Sequence, residues 1–234
     1  MRILNDYFSK PKIVFTFLLA IIPLLLVQCN CHDCPNCPNK QEITLLDEPF
    51  DTLSNWTYAV DSNPGALFNV NNSFLSVANF GTQQSQFYGP IATKSLSDSI
   101  DGDCFDLRAY LKSNDGDMSK RGEIHITLTD ADNVPIVGIY WYHYYSNLNN
   151  SYLGLYYEGE KVGMHGEQTI SGIVTLSCSR GHLNLNYNGL DLDTMTINMP
   201  RIPTKVRVEI LKWGNLAARD MQIDWIKVTK SYCQ

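Results

Sequence analysis

Apolar and polar residues alternate most regularly between Gly122 and Asn147, GEIHITLTDADNVPIVGIYWYHYYSN. Ile124, Ile126 and Leu128 alternate with His125, Thr127 and Thr129, the two-residue period of a strand with one buried face. The arm that follows is richer in β-branched and aromatic residues, which favour strands. A turn at Asp132 and Asn133 makes this a long β-hairpin that pairs Leu128 with Val137, Ile126 with Ile139 and Ile124 with Trp141. The opposite face then carries His125, Thr127 and Thr129 with Tyr140, Tyr142 and Tyr144, rings with polar tips where Lys and Glu usually face solvent. A slip of one residue would exchange the two faces.

From Ile43 onward, short runs of the same kind are separated by Asn-Gly, Asp-Gly and other Gly-rich breaks. Besides the hairpin arms 123–129 and 134–145, strands are expected over 43–46, 67–69, 74–78, 91–95, 105–112, 153–158, 173–179, 182–187, 194–199, 205–211 and 221–229. No repeat is evident, and the one place for a helical turn is 211–219. The pattern predicts an all-β domain, an antiparallel two-sheet sandwich.

The N-terminus has a different pattern. Arg2, Lys10 and Lys12 precede the apolar run Ile13–Val27, too short for the ~20 residues of a spanning helix and suited to an export signal over 1–28. Its end, Leu26-Val27-Gln28-Cys29, resembles the lipobox of bacterial lipoproteins, although Gln28 stands where a small residue is usual. That resemblance implies a protein exported and held in the cell envelope by a lipid on Cys29. A soluble secreted protein and an uncleaved signal anchor are the alternatives. Residues 29–42 form a Cys- and Pro-rich tether. The spacing Cys31-x-x-Cys34-x-x-Cys37, with His32, could hold zinc in a reducing compartment, but export favours disulfides. With Cys29 acylated, six cysteines remain, Cys104, Cys178 and Cys233 among them; Cys178, on an apolar strand face, reads equally as a buried thiol.

Composition narrows the function. The chain has 234 residues, 44% of them hydrophobic, so residues 43–234 can bury the core of one domain. A net charge of -6 with no basic run after the signal argues against nucleic acid as a partner. No nucleophile elbow, zinc-protease helix motif or phosphate-cradling Gly loop occurs. Asp98, Asp101, Asp103, Asp115 and Asp117 surround Gly102 and Gly116 and offer oxygens to a structural Ca²⁺, but Asp is also an ordinary turn residue. No other metal and no cofactor is expected.

The stretches Glu48-Pro49-Phe50-Asp51 with Trp56, Asn72–Val77, Phe105–Ala109, the Gly122–Trp141 hairpin, Tyr187-Asn188-Gly189 and Ile223–Val228 together resemble the concanavalin A-like lectin/glucanase superfamily. The resemblance implies a jelly-roll sandwich whose opening strand, 43–46, lies beside the closing one, 221–229. It thereby implies Cys233 within reach of Cys37 or Cys34. Members that cleave glucans carry Glu-x-Asp-x-x-Glu on one strand, since a retaining glycosidase needs paired carboxylates. Here the nearest stretch, Glu123–Thr129, keeps one carboxylate, and the pairs Glu158/Glu160 and Asp191/Asp193 are expected at strand ends or turns. Hydrolysis, with Glu123 as the one candidate, is therefore the alternative function, and a protein-binding adhesive module is another. The leading expectation is non-catalytic carbohydrate binding, because exposed rings take the C–H faces of sugars while polar neighbours take the hydroxyls. The candidates are Tyr140, Tyr142, Tyr144, His125, Tyr156, Asn184, Asn186, Arg207 and Glu209. A tyrosine stripe packed under a loop would look the same in sequence.

Overall fold

The hairpin forms in the register its apolar residues dictate. A computed structural model describes residues 40–82, 87–101, 104–113, 122–143, 151–167, 171–199, 201–213 and 221–233. In it, Ile124 lies opposite Trp141, Ile126 opposite Ile139 and Leu128 opposite Val137. Asp130 shapes the turn: its Oδ1 accepts from the backbone N–H of Asp132 at 3.0 Å and of Val134 at 2.9 Å. Asn133 takes the left-handed conformation there, φ 65°, which Asn tolerates better than most residues.

The described strands form two antiparallel sheets of eight. The terminal sheet contains β1 (Lys40–Glu48), β3 (Leu67–Asn71), β4 (Phe74–Asn79), β7 (Phe105–Ser113), β12 (Ser171–Ser179), β13 (His182–Tyr187), β14 (Leu190–Thr196) and β16 (Met221–Cys233). Its order is β14-β13-β12-β7-β16-β4-β3, with β1 also on β16. The hairpin sheet contains β2 (Thr57–Tyr58), β5 (Phe87–Tyr88), β6 (Ile91–Ser95), β8 (Gly122–Thr129), β9 (Pro135–His143), β10 (Ser151–Tyr157), β11 (Glu160–Glu167) and β15 (Lys205–Trp213). Its order is β11-β10-β9-β8-β15-β6-β2, with β5 on β15. The first and last strands are neighbours as the resemblance implies, Ile43 opposite Lys230 and Thr44 opposite Thr229.

Each sheet turns one face inward. Ile124, Ile126, Leu128, Val137, Ile139, Trp141, Val206 and Val208 from the hairpin sheet meet Leu107, Ala109, Val174, Leu176, Ile226 and Val228 from the terminal sheet in one buried core. Cys178 is a buried thiol of that core. At its mouth, the Glu48 carboxylate accepts from the Phe50 backbone N–H at 3.0 Å, Trp56 Nε1 at 2.9 Å and Lys94 Nζ at 2.5 Å. The opening Glu-Pro-Phe-Asp stretch with its Trp is thus a buried polar hub under an aromatic lid.

Three sequence expectations need correction. β11 has no place among the expected strands, because two glycines dilute its alternation; a turn with Glu158 at φ 48° and Gly159 at φ 91° sends the chain straight back into it. The strand expected over 194–199 begins at Leu190, immediately after a turn of the same kind at Asn188 and Gly189. Asp191 and Asp193 therefore sit within a strand, and Leu211–Trp213 continue β15, while 214–219, the rest of the stretch expected to hold a helical turn, lies outside the described residues. The signal, Cys29, Cys31, His32, Cys34, Cys37 and the side chain of Cys233 lie outside the described residues, as do Tyr144, Asp103, Asp115 and Asp117. Asp98 and Asp101 both contact Lys230 Nζ, at 2.6 and 3.4 Å.

Candidate functional site

Strand pleating aims alternate residues of β8, β9, β10 and β15 at the outer face of the hairpin sheet. Register then decides who meets: His125 lies opposite Glu209 on one side and Tyr140 on the other, and Glu123 lies opposite Tyr142. Tyr142 pairs onward with Tyr152, Tyr140 with Gly154, and Tyr156 with Lys161.

These pairings build one chain of charges. Lys161 Nζ contacts both Glu123 oxygens, at 2.9 and 2.8 Å, and Glu123 Oε2 lies 2.8 Å from His125 Nε2. His125 Nδ1 is 3.1 Å from Glu209 Oε2, Glu209 Oε1 accepts from Arg207 Nε at 2.5 Å, and Arg207 forks onto Asp61 at 3.1 and 2.6 Å. The middle of the chain is buried, with Glu123 at 1%, Arg207 at 6% and His125 at 8% exposure. Its two ends, Lys161 and Asp61, reach solvent.

Electrostatics follow from that order. Both ring nitrogens of His125 face carboxylates, and only the imidazolium can donate from both. Burial disfavours the charge, but the bonds to Glu123 and Glu209 outweigh it and raise the His125 pKa. Burial would likewise raise Glu209, yet His125 and Arg207 bring it down to about 2. Glu123 is lowered as well, its desolvation overcome by His125 and Lys161. With His125 protonated, the series Lys161, Glu123, His125, Glu209, Arg207, Asp61 alternates in sign and sums to zero.

Rings cover one end of the network. Phe87 stands edge-on to Trp213 at 4.5 Å between centroids and to Tyr142 at 6.3 Å, and Tyr142 stacks with Tyr152 at 6.4 Å. Lys161 Nζ lies over Phe87, Tyr140 and Tyr142 at 5.3, 5.7 and 5.5 Å, within cation–π range. Tyr156 tilts against His125 at 6.1 Å.

The structure thus gathers Tyr140, Tyr142, His125, Tyr156, Arg207 and Glu209, with Glu123, on one face. It corrects the role of Tyr140. That side chain is fully buried, with its hydroxyl donating to Gly163 O at 2.8 Å, because the β10–β11 hairpin closes over it. Burial, then the charges of Glu123 and Asp193, push its pKa up to about 12. His125 and Arg207 are likewise buried and not open to a ligand. Asn184 and Asn186 lie on β13 of the terminal sheet, so one surface cannot hold all the candidates. Sequence reasoning passed over Phe87, Tyr152, Lys161, Trp213 and Asp61. Phe87 sits in a two-residue strand and Asp61 in a loop, with no periodicity to mark either; Tyr152 adjoins Leu153 in a readable strand and was detectable.

No family model matches the sequence, and no curated protein does. Solved structures do match. The CBM2 module of the evolved Dit of Lactobacillus casei BL23 phage J-1 is 9% identical, with a TM-score of 0.69 over 84% of this chain and 99% of that one. This chain has the fold of a concanavalin A-like jelly-roll sandwich. A Bauhinia forficata lectin in complex with GalNAc, 9% identical, has a TM-score of 0.51 over 83% of this chain and 99% of the lectin. A GlcNAcα1-4Gal-releasing endo-β-galactosidase from Clostridium perfringens, 10% identical, reaches 0.55 over 85% of this chain and 66% of the enzyme. At such identities the likeness concerns the fold, which hosts binders and enzymes alike.

Proposed function

We propose that the jelly roll is a non-catalytic carbohydrate-binding protein whose ligand lies on the outer face of the hairpin sheet. The observation that carries this reading is the group of half-buried rings Phe87, Tyr142, Tyr152 and Trp213 beside a charge-balanced network. Half-buried rings give a sugar its C–H platform, and the solvent-reaching ends, Lys161 and Asp61, take hydroxyls. The similarity to a carbohydrate-binding module and a lectin supports the same reading.

The paired carboxylates Glu123 and Glu209 favour comparison with hydrolysis. A retaining glycosidase needs one of its two carboxyls protonated near working pH. Both are lowered here, Glu209 to about 2, and both are engaged with His125. That supports binding over cleavage. The Cys29 sequence context supports a lipid anchor in the cell envelope, to be read by fatty-acid labelling of the wild type and its absence in Cys29→Ser.

Polysaccharide pull-downs and a glycan array test the proposal. Binding is expected from the wild type and at least tenfold weaker in Tyr142→Ala/Tyr152→Ala, with no reducing sugar released from the bound glycans. A double variant that binds as the wild type does, or a wild type that binds no glycan, discards the site.

A further inference from the structure

The other side of the sandwich carries a second surface with different chemistry. The outer face of the terminal sheet holds a depression of about 340 Å³, lined by Arg108, Asn184, Asn186, Asp191, Ile173 and Trp225, with the hydroxyls of Thr175 and Ser177 between them. It shares no residue with the network on the hairpin sheet.

Trp225 reaches this face through an irregularity in β16. Ile223 pairs with Leu111 and Ile226 with Ala109, all four buried, while Trp225 pairs with Tyr110 between them. Strict alternation from Ile223 would have put residue 225 inward. The extra residue at Asp224 turns Trp225 outward at a central strand, and a bulge that re-aims one side chain gives up ladder pairing to do so.

The polar side is held in place. Asn184 and Asn186 each donate an amide N–H to Asp191 Oδ1, both at 3.1 Å, and among the described residues Asp191 Oδ2 has no partner. Arg108 Nη2 donates to Asp106 Oδ2 at 2.8 Å, and Lys227 lies opposite Arg108 in register. The lining itself carries one cation, Arg108, and one anion, Asp191, so the surface does not select an anion. Trp225 on β16 and Asn186 on β13 are three strand spacings apart, about 14 Å.

We propose that this depression is a second carbohydrate subsite, taking a neutral oligosaccharide of about two or three units. One ring packs its C–H face on Trp225 and Ile173. Asp191 Oδ2 accepts from a hydroxyl, and Arg108, Thr175 and Ser177 bond its neighbours. The subsite stands independently of the face proposed above.

The probes are cellotriose, laminaritriose and β-1,4-galactotriose, with trigalacturonate as an acidic control, titrated into the full chain by calorimetry and followed by saturation-transfer NMR. In the Tyr142→Ala/Tyr152→Ala background, at least one neutral trisaccharide is expected to bind. Adding Trp225→Ala or Asp191→Ala should weaken it about tenfold, the scale of one aromatic contact, while Trp225→Phe keeps most of it. The inference is overturned if no neutral trisaccharide binds that background, if Trp225→Ala and Asp191→Ala change nothing, or if trigalacturonate binds as tightly. Binding lost entirely in Tyr142→Ala/Tyr152→Ala but kept in Trp225→Ala sinks this subsite and leaves the hairpin-sheet face standing. The converse discards that face and leaves the subsite.

Discussion

His125 Nε2 lies 2.8 Å from Glu123 Oε2 while its Nδ1 faces Glu209 at 3.1 Å, so the imidazole is clamped between two carboxylates. Its folded pKa is raised above the ordinary 6.5. The stability this contributes is fully present below about pH 6.5 and is lost as pH rises through the folded value. Glu209 has the opposite sign: lowered to about 2, it contributes above its ordinary 4.5 and loses that contribution as pH falls. The network should therefore be at full strength between those two ordinary values. Thermal midpoints across pH should fall on the alkaline side for the wild type, and the wild-type advantage over His125→Gln should shrink there. His125→Gln should cost roughly 3 kcal/mol at acidic to neutral pH, the scale for breaking a buried ionic pair. A pH-independent difference between the two proteins would refute the clamp.

Tyr140 lies across Gly154, where a Cβ would sit 2.6 Å from the phenol oxygen and 2.0 Å from Gly163 O. The backbone oxygen cannot move without distorting the β10–β11 pairing. Gly154→Ala should cost about 1–3 kcal/mol by overpacking, and Tyr140→Phe about 1 kcal/mol for its bond to Gly163. Urea denaturation of both variants checks the pair. A neutral Gly154→Ala would show that this hairpin does not close over Tyr140.

Glu48 accepts from three donors while only 4% exposed. Glu48→Ala leaves Lys94 and Trp56 Nε1 without their shared acceptor and should cost about 3 kcal/mol. Glu48→Gln, which keeps an acceptor oxygen, should cost less. Equal losses in denaturant midpoint would mean that packing, not the carboxylate, holds the hub.

Thr127 Oγ1 is buried and has no hydrogen-bond partner among the described residues. Removing an unsatisfied buried hydroxyl recovers part of its desolvation cost, so Thr127→Val should stabilise the fold by about 1 kcal/mol. Destabilisation in urea would show that the hydroxyl is engaged.

Much of this architecture was legible along the chain. Ile124, Ile126 and Leu128 could face Trp141, Ile139 and Val137 in one register only, because a slip of one residue would turn one arm's three apolar residues away from the other's. Alternation of that kind is a local property, and so was the all-β character. The resemblance also implied the neighbouring terminal strands. What the chain could not display was which strands become neighbours across long loops. β15 lies between β8 and β6, and that placement sets Arg207 and Glu209 beside His125, more than eighty residues away in sequence. The same assembly buries Tyr140, leaves Tyr142 and Tyr152 half-exposed, and sends Asn184 and Asn186 to the opposite face. Even the outward turn of Trp225 depends on one unpaired residue at Asp224, invisible until β16 is laid against β7. Period and polarity are written residue by residue, whereas burial and charge pairing depend on which strands lie side by side. Local pattern therefore determined the strands and their inward faces, and only the tertiary packing decided which outward residues form a site.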